Sequence, residues 1–368
     1  MGSGTAGADE AGSTPGHGTA DAGQWQRLAH DEDLFGGTQW KSLDSVTVGG
    51  PGLVAVGQDG GVAAVWVSPD GYSWERVPHD EAVFGTGGWE MVEVAAGGPG
   101  LVAVGNDHNR ASAAVWVSPD GSSWERIPHD EAVFDGDQSQ LMRSVTAGGP
   151  GVVAVGDDWG RGYSAAVWVS PDGFSWERIP PGEIALGREQ EMVSVTAGGP
   201  GLVAVGIDRN RDSAAVWVSP DGYSWERISH DENVFGGGGE TAMLSVTTGG
   251  PGLVAVGRDS SRFSAAVWVS PDGYSWERIP HDENVLGSVP GMSSVAAAGP
   301  GLVAVGWDEG RGSAAVWVSP DGYSWERIPH DEAVFGRDGQ RMFSVTAGGP
   351  GVVAVGSEEG SGAVWTSP

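Results

Sequence analysis

From Ser264 to Arg278 the chain reads SAAVWVSPDGYSWER. The apolar and β-branched run from Ala265 to Val269 predicts an extended strand, Pro271-Asp272-Gly273 predicts a turn, and Tyr274 to Ile279 predicts the return strand. Proline presets φ, aspartate can accept hydrogen bonds from the backbone just after it, and glycine tolerates positive φ. With a side-chain period of two, Val267 and Val269 fall on one face and Trp268 on the other. Neither face is polar, so the strand is expected to be buried on both sides.

The stretch occurs six times nearly unchanged, with its central tryptophan at Trp66, Trp116, Trp168, Trp217, Trp268 and Trp317. A seventh copy is split: AVWTSP closes the chain at Ala363 to Pro368, and the matching WQR stands at Trp25 to Arg27. A second marker, GPGLVAVG or GPGVVAVG, has its proline at Pro51, Pro99, Pro150, Pro200, Pro251, Pro300 and Pro350. Each unit reads as four strands: an inner strand such as Met342 to Ala347, a GGPG turn, a second strand such as Val352 to Val355, a loop, and the hairpin. Four strands in a unit of about 40 to 50 residues predict propeller blades. The expected fold is therefore all-β: a seven-bladed β-propeller, four antiparallel strands per blade, with the N-terminal strand completing the last blade. A solenoid would not need complementary ends and would carry polar caps, and neither end looks like a cap. The expected division is a disordered leader over residues 1–23, rich in Gly, Ala, Ser, Thr and Asp, and a propeller over 24–368.

The SPDGYSW hairpin resembles the Asp-box of sialidase-like (BNR-type) propellers, although its Asp-to-Trp spacing is one residue shorter in every copy. The near-identity of the blades also resembles highly repetitive bacterial propellers, which commonly form the recognition end of larger chains. The resemblance implies that Ser and Asp hold the turn while Trp packs beneath it. A sialidase would further require a central arginine cluster with a Tyr and acid pair. The repeated WER arginines are expected on the outer strand instead, so hydrolase activity is only a minor alternative.

Two segments vary between copies: the loop between the second and third strands, and the stretch before the inner strand. In an up-and-down blade both emerge on one face, and the GGPG and SPDG turns emerge on the other. Variation gathered on one surface of a rigid scaffold predicts a recognition face. Fourteen of the 18 tryptophans occupy repeated hairpin positions and are expected in the core. The remaining four, Trp40, Trp89, Trp159 and Trp307, fall in variable segments together with Tyr163 and Phe263. With Arg110, Arg161, Arg209, Arg211, Arg262 and Arg311 they are the candidate ligand-binding residues, as aromatic anchors and anion partners. The HDE triplets at His30, His79, His129, His230, His281 and His330 lack zinc spacing, and Asp is expected to cap a short helical segment there. One blade breaks that series with Pro181-Gly182-Glu183.

A formal net charge of -30 argues against a nucleic-acid partner. Cysteine is absent, which excludes thiol chemistry and disulfides. No run approaches the roughly 18 apolar residues of a membrane span, and no signal-peptide core is visible. The expected protein is a soluble monomer, with the cytoplasm the favoured compartment. Near-identical blades supply the same groups seven times, whereas an active site needs an asymmetric set. The expectation is a non-enzymatic binding or sensor module for a protein partner, with no catalytic residues, metal or cofactor. Lectin-like multivalent glycan binding and a purely structural or designed repeat are the alternatives.

Overall fold

The computed structural model describes residues 25–368 except 38, 137–138, 160–163, 181–188, 237–238, 288–289 and 337–338. The expected leader, with Arg161 and Tyr163, lies outside the described residues. Seven separate four-stranded antiparallel sheets follow one another along the chain. In the first blade the inner strand Lys41–Gly49 pairs with Gly52–Asp59, which pairs with Val62–Ser68, and the short strand Glu75–Arg76 lies outermost. The seventh blade runs Gln340–Gly348, Gly351–Glu358 and Ser361–Ser367, and takes Gln26–Arg27 from the other end of the chain as its outer strand. Gln26 stands opposite Thr366 and Arg27 opposite Trp365, and Leu28 N donates to Val364 O at 3.0 Å. The inner strand of the seventh blade packs against that of the first. The fold is a closed seven-bladed β-propeller, which leaves no free sheet edge at the junction.

The cores lie between blades. Val54, Val56 and Val65 of the first blade pack with Met91, Leu101 and Trp116 of the second, and six equivalent clusters complete the ring. The third-strand tryptophans from Trp66 to Trp365 are all fully buried. Those of the hairpin return are less uniform: Trp25, Trp74, Trp225 and Trp276 are buried, but Trp124, Trp176 and Trp325 are only half-buried. They sit against the turn rather than under a sheet, with Trp74 Nε1 donating to Gly71 O at 3.0 Å.

The turn itself is held by two side chains. Ser68 Oγ accepts from Gly71 N at 2.8 Å, while Asp70 Oδ1 accepts from Ser73 N at 2.7 Å and Tyr72 N at 2.8 Å. Those amides, Ser73 first, hold the Asp70 carboxyl below the usual carboxylate range. Gly121, at φ 80°, shows why the turns barely vary: a Cβ there would meet Val54 and Pro51 of the preceding blade. The constant turns of one face pack on each other.

On the outer wall, Asp80 caps the helix Glu81–Phe84 by accepting from Ala82 N at 2.9 Å. Phe84 is buried, and Trp116 Nε1 donates to Val83 O at 2.7 Å. Trp66, Trp168, Trp268, Trp317 and Trp365 donate likewise. Trp217 Nε1 has no partner among the described residues, and its blade follows the segment that lacks the HDE triplet. Each outer-strand arginine meets an acid at the end of the second strand: Arg227 with Asp208 at 2.7 Å and Arg327 with Asp308 at 2.6 Å, for example. Arg27 and Glu358 make the corresponding pair across the joined ends of the chain.

Candidate functional site at the mouth of the ring

Every inner strand carries a β-bulge directly after its buried Met or Leu. The extra residue is half-buried on the strand nearest the ring axis, and six residue types fill its seven copies: Asp44, Val92, Arg143, Val193, Leu244, Ser293 and Phe343. A bulge opposes two residues to one and re-aims the strand. Nearer the variable loops, the cross-strand pairs are also unlike one another: Ser42 with Gln58, Glu90 with Asn106, Leu141 with Asp157, Glu191 with Ile207, Ala242 with Arg258, Gly291 with Trp307, and Arg341 with Ser357. The blades are nearly identical elsewhere, so the asymmetry is concentrated at one end of the inner strands.

Several of these positions join polar clusters at the mouth. Glu90 accepts from Asn106 Nδ2 at 3.0 Å and lies 3.1 Å from His108 Nε2. Arg143 pairs with the buried Asp157, which also accepts from Trp159 Nε1. Arg209 bonds Glu191 and reaches Glu240 at 3.6 Å, and Arg258 pairs with Glu240 in turn. The Arg341 guanidinium lies 4.7 Å from the centroid of the Trp307 ring. A cavity of about 220 Å³ opens beside Trp307, lined by Arg258, Phe263 and Glu309 among others.

Deeper in the ring a belt of hydrogen bonds joins each blade to the next. Ser45, Ser144, Ser194, Ser245, Ser294 and Ser344 each accept, through Oγ, from a backbone amide of the following blade at 3.0 to 3.3 Å. In the second blade Glu93 takes the serine's place and accepts from Val145 N at 2.5 Å. Burial pushes the Glu93 carboxyl up to about 7, against hydrogen bonds from Ser144 and Val145. Asp44 is likewise pushed up to about 7, mainly by burial, with the Glu90 charge adding to it.

The predicted site residues divide. Trp40, Trp159 and Phe263 are exposed, at 56, 41 and 68 %, and Trp307 is half-buried at the mouth. Trp89 is not a free platform: it packs edge-on to Trp116 with ring centroids 6.5 Å apart, and Arg126 stacks on it at 3.8 Å. Its strand position faces Asp107 and the blade interior, a matter of register. Arg110, Arg211 and Arg262 turn back to Asp107, Asp208 and Asp259 at 3.7, 2.9 and 3.7 Å. Arg311 donates through its backbone to Asp308 at 3.2 Å. Of the arginines predicted from the loops, Arg209 joins the mouth. Arg110 instead lines an open groove of about 920 Å³ with His129, Phe174 and Trp176.

Sequence reasoning missed the inner-strand groups Asp44, Glu90, Glu93, Arg143, Glu191 and Arg341. Their signal was present in the residues flanking each inner-strand Met or Leu, which vary between copies. It also passed over five aromatics on the constant-turn face, Tyr72, Phe174, Tyr223, Tyr274 and Tyr323, all 43 to 47 % exposed at one repeated position.

Among the described residues no three or more His, Asp or Glu side chains are grouped to hold a metal ion, and no helix is long and apolar enough to cross a membrane. Fold and mouth together define a seven-bladed propeller with an asymmetric polar opening. No family model matches the sequence, and no curated protein matches it. Among solved structures, the chain is similar to a catalytically inactive virginiamycin B lyase from Staphylococcus aureus, solved with quinupristin. The TM-score is 0.57 at 11 % identity, over 93 % of this chain and 99 % of that one. At that identity the likeness is one of fold alone.

Proposed function

We propose that the chain is a non-enzymatic binding module, an Asp-box-like propeller that recognises a protein partner through its variable-loop face. The observation that carries this is the concentration of blade-to-blade difference at one end of the ring, where seven unlike cross-strand pairs meet seven unlike loops. A structural requirement would have kept those pairs alike, as it keeps the constant turns alike. Tryptophan, phenylalanine and arginine are enriched at protein interfaces, and the exposed Trp40, Trp159 and Phe263 with the half-buried Arg258 supply them here.

A second reading, multivalent glycan binding, draws on the five aromatics repeated on the opposite face, since equivalent weak sites gain avidity. Panning a displayed peptide library on the intact chain separates the two. The counter-selection uses a Trp40→Ala, Trp159→Ala, Phe263→Ala, Trp307→Ala variant, and a glycan array runs in parallel. Peptides that bind the native chain and not the variant support the protein-partner reading. Peptides that bind both equally, or glycans that bind both while no peptide is enriched, overturn it.

A further inference from the structure

Phe263 stands at a left-handed position that glycine fills in half of the six described copies, and it is the bulkiest residue found there. Among the described residues, the one before each third strand has left-handed backbone: it is Gly61, Gly312 or Gly360 in three blades and Ala111 or Asp212 in two others. Phe263 takes the same conformation at φ 50° with a large side chain that is 68 % exposed. A bulky residue at positive φ is strained, and its side chain is not held there by burial. The ring lies at the edge of the cavity of about 220 Å³ beside Trp307. One face of Trp307 is covered by Arg341 at 4.7 Å.

The size and charge of the cavity narrow what it can hold. It is smaller than the roughly 300 to 1,000 Å³ of a cleft for a drug-sized ligand and suits one ring-bearing group. Its ionic groups are largely committed: Arg258 to Glu240, and Asp259 to Arg278 at 2.5 Å. A cationic guest would meet Arg258, and an anionic guest would meet Glu309. What remains on offer is aromatic surface, with the Ser264 hydroxyl, unpartnered among the described residues, in the wall beside it. We infer that the cavity between Phe263 and Trp307 seats one uncharged aromatic side chain of the partner, as the anchor of the interface. This rests on the protein-partner reading above.

The test uses N-acetyl-tyrosinamide as the probe, with N-acetyl-leucinamide and methyl glucoside as controls, in saturation-transfer NMR on the full chain. Phe263→Gly and Trp307→Ser are the variants. Both borrow residues that other blades carry at the same position, Gly61 and Ser357, so the fold is expected to persist. Saturation of the tyrosine probe alone is expected, reduced about tenfold in affinity in either variant by loss of one ring contact and its desolvated area. No transfer to the tyrosine probe, transfer unchanged in both variants, or transfer to the glucoside that Phe263→Gly abolishes would each overturn the inference. Failure here alongside peptides that still depend on the variable face would remove the anchor and leave the wider reading standing.

Discussion

Replacing Glu93 with serine gives the second blade the residue that the other six use to receive a neighbour's amide. In the folded protein burial pushes the Glu93 carboxyl from its ordinary value near 4.5 up to about 7. Each unit of such a difference is about 1.4 kcal/mol, so the ceiling on the effect is about 3.5 kcal/mol. The sign follows from the direction. A carboxyl with a raised folded value takes up a proton on folding, so its contribution is fully present below about 4.5 and is lost as pH rises through about 7. Serine has no such titration and keeps the hydrogen bond to Val145. Denaturation of the native chain and Glu93→Ser at pH 5 and pH 8.5 measures the difference. At pH 5 the two are expected within about 1 kcal/mol. At pH 8.5 the variant is expected to be more stable by about 2 to 3 kcal/mol, which is ~4 °C in Tm for a domain of this length. A difference of the same size at both pH values would refute the reasoning.

Three further outcomes are expected. Deleting Gln24 to Leu28 removes the outer strand of the seventh blade and the Arg27–Glu358 pair. Thermal stability should fall, and gel filtration should show association through the exposed third strand; unchanged values would contradict ring closure. Asp259→Asn leaves Arg278 without its charge partner and should cost about 3 to 5 kcal/mol in urea unfolding at pH 7. That carboxyl is held below its ordinary range: burial would raise it, but the hydrogen bonds from Ser261 and Arg278 outweigh the burial. The penalty should therefore shrink as pH falls through the carboxylate range, and a pH-independent loss would contradict the assignment. Grafting the common helix, by Pro181→His, Gly182→Asp, Ile184→Ala, Ala185→Val and Leu186→Phe, offers Trp217 Nε1 the carbonyl that Trp116 has. A gain of about 1 kcal/mol in the melting curve is expected, and no gain would mean the indole is satisfied otherwise.

Blade number, strand order and the joining of the ends were legible because the markers recur with turn chemistry of their own, Pro51 to Pro350 and Trp66 to Trp365. The capped helical turn at HDE was legible for the same reason. The site was less so. A strand such as SLDSVTV breaks its alternation at Asp44-Ser45, and period-two reasoning alone does not say that a bulge after Leu43 accommodates the extra residue. Asp44, Arg143 and Phe343 owe their half-buried places on the inner strand to that insertion. Trp89 and Trp159 looked alike in sequence, since both fall in variable segments. Register separates them, turning Trp89 into the blade and leaving Trp159 at the mouth beside Asp157. Arg110 and Arg209 part in the same way, one drawn to Asp107 on the outer wall and the other to Glu191. The left-handed backbone at Phe263 was hidden because loop residues carry no signature of φ.

The claim that recognition resides in the asymmetric mouth is tested most directly by making the mouth symmetric. A variant carrying Ser42 and Gln58 of the first blade at the equivalent positions of all seven blades keeps the turns, cores and outer ion pairs. Binding of the peptides selected on the native chain is then measured by calorimetry, with the melting temperature recorded alongside. The account predicts a folded propeller that no longer binds them. A folded variant that binds as tightly as the native chain would contradict it.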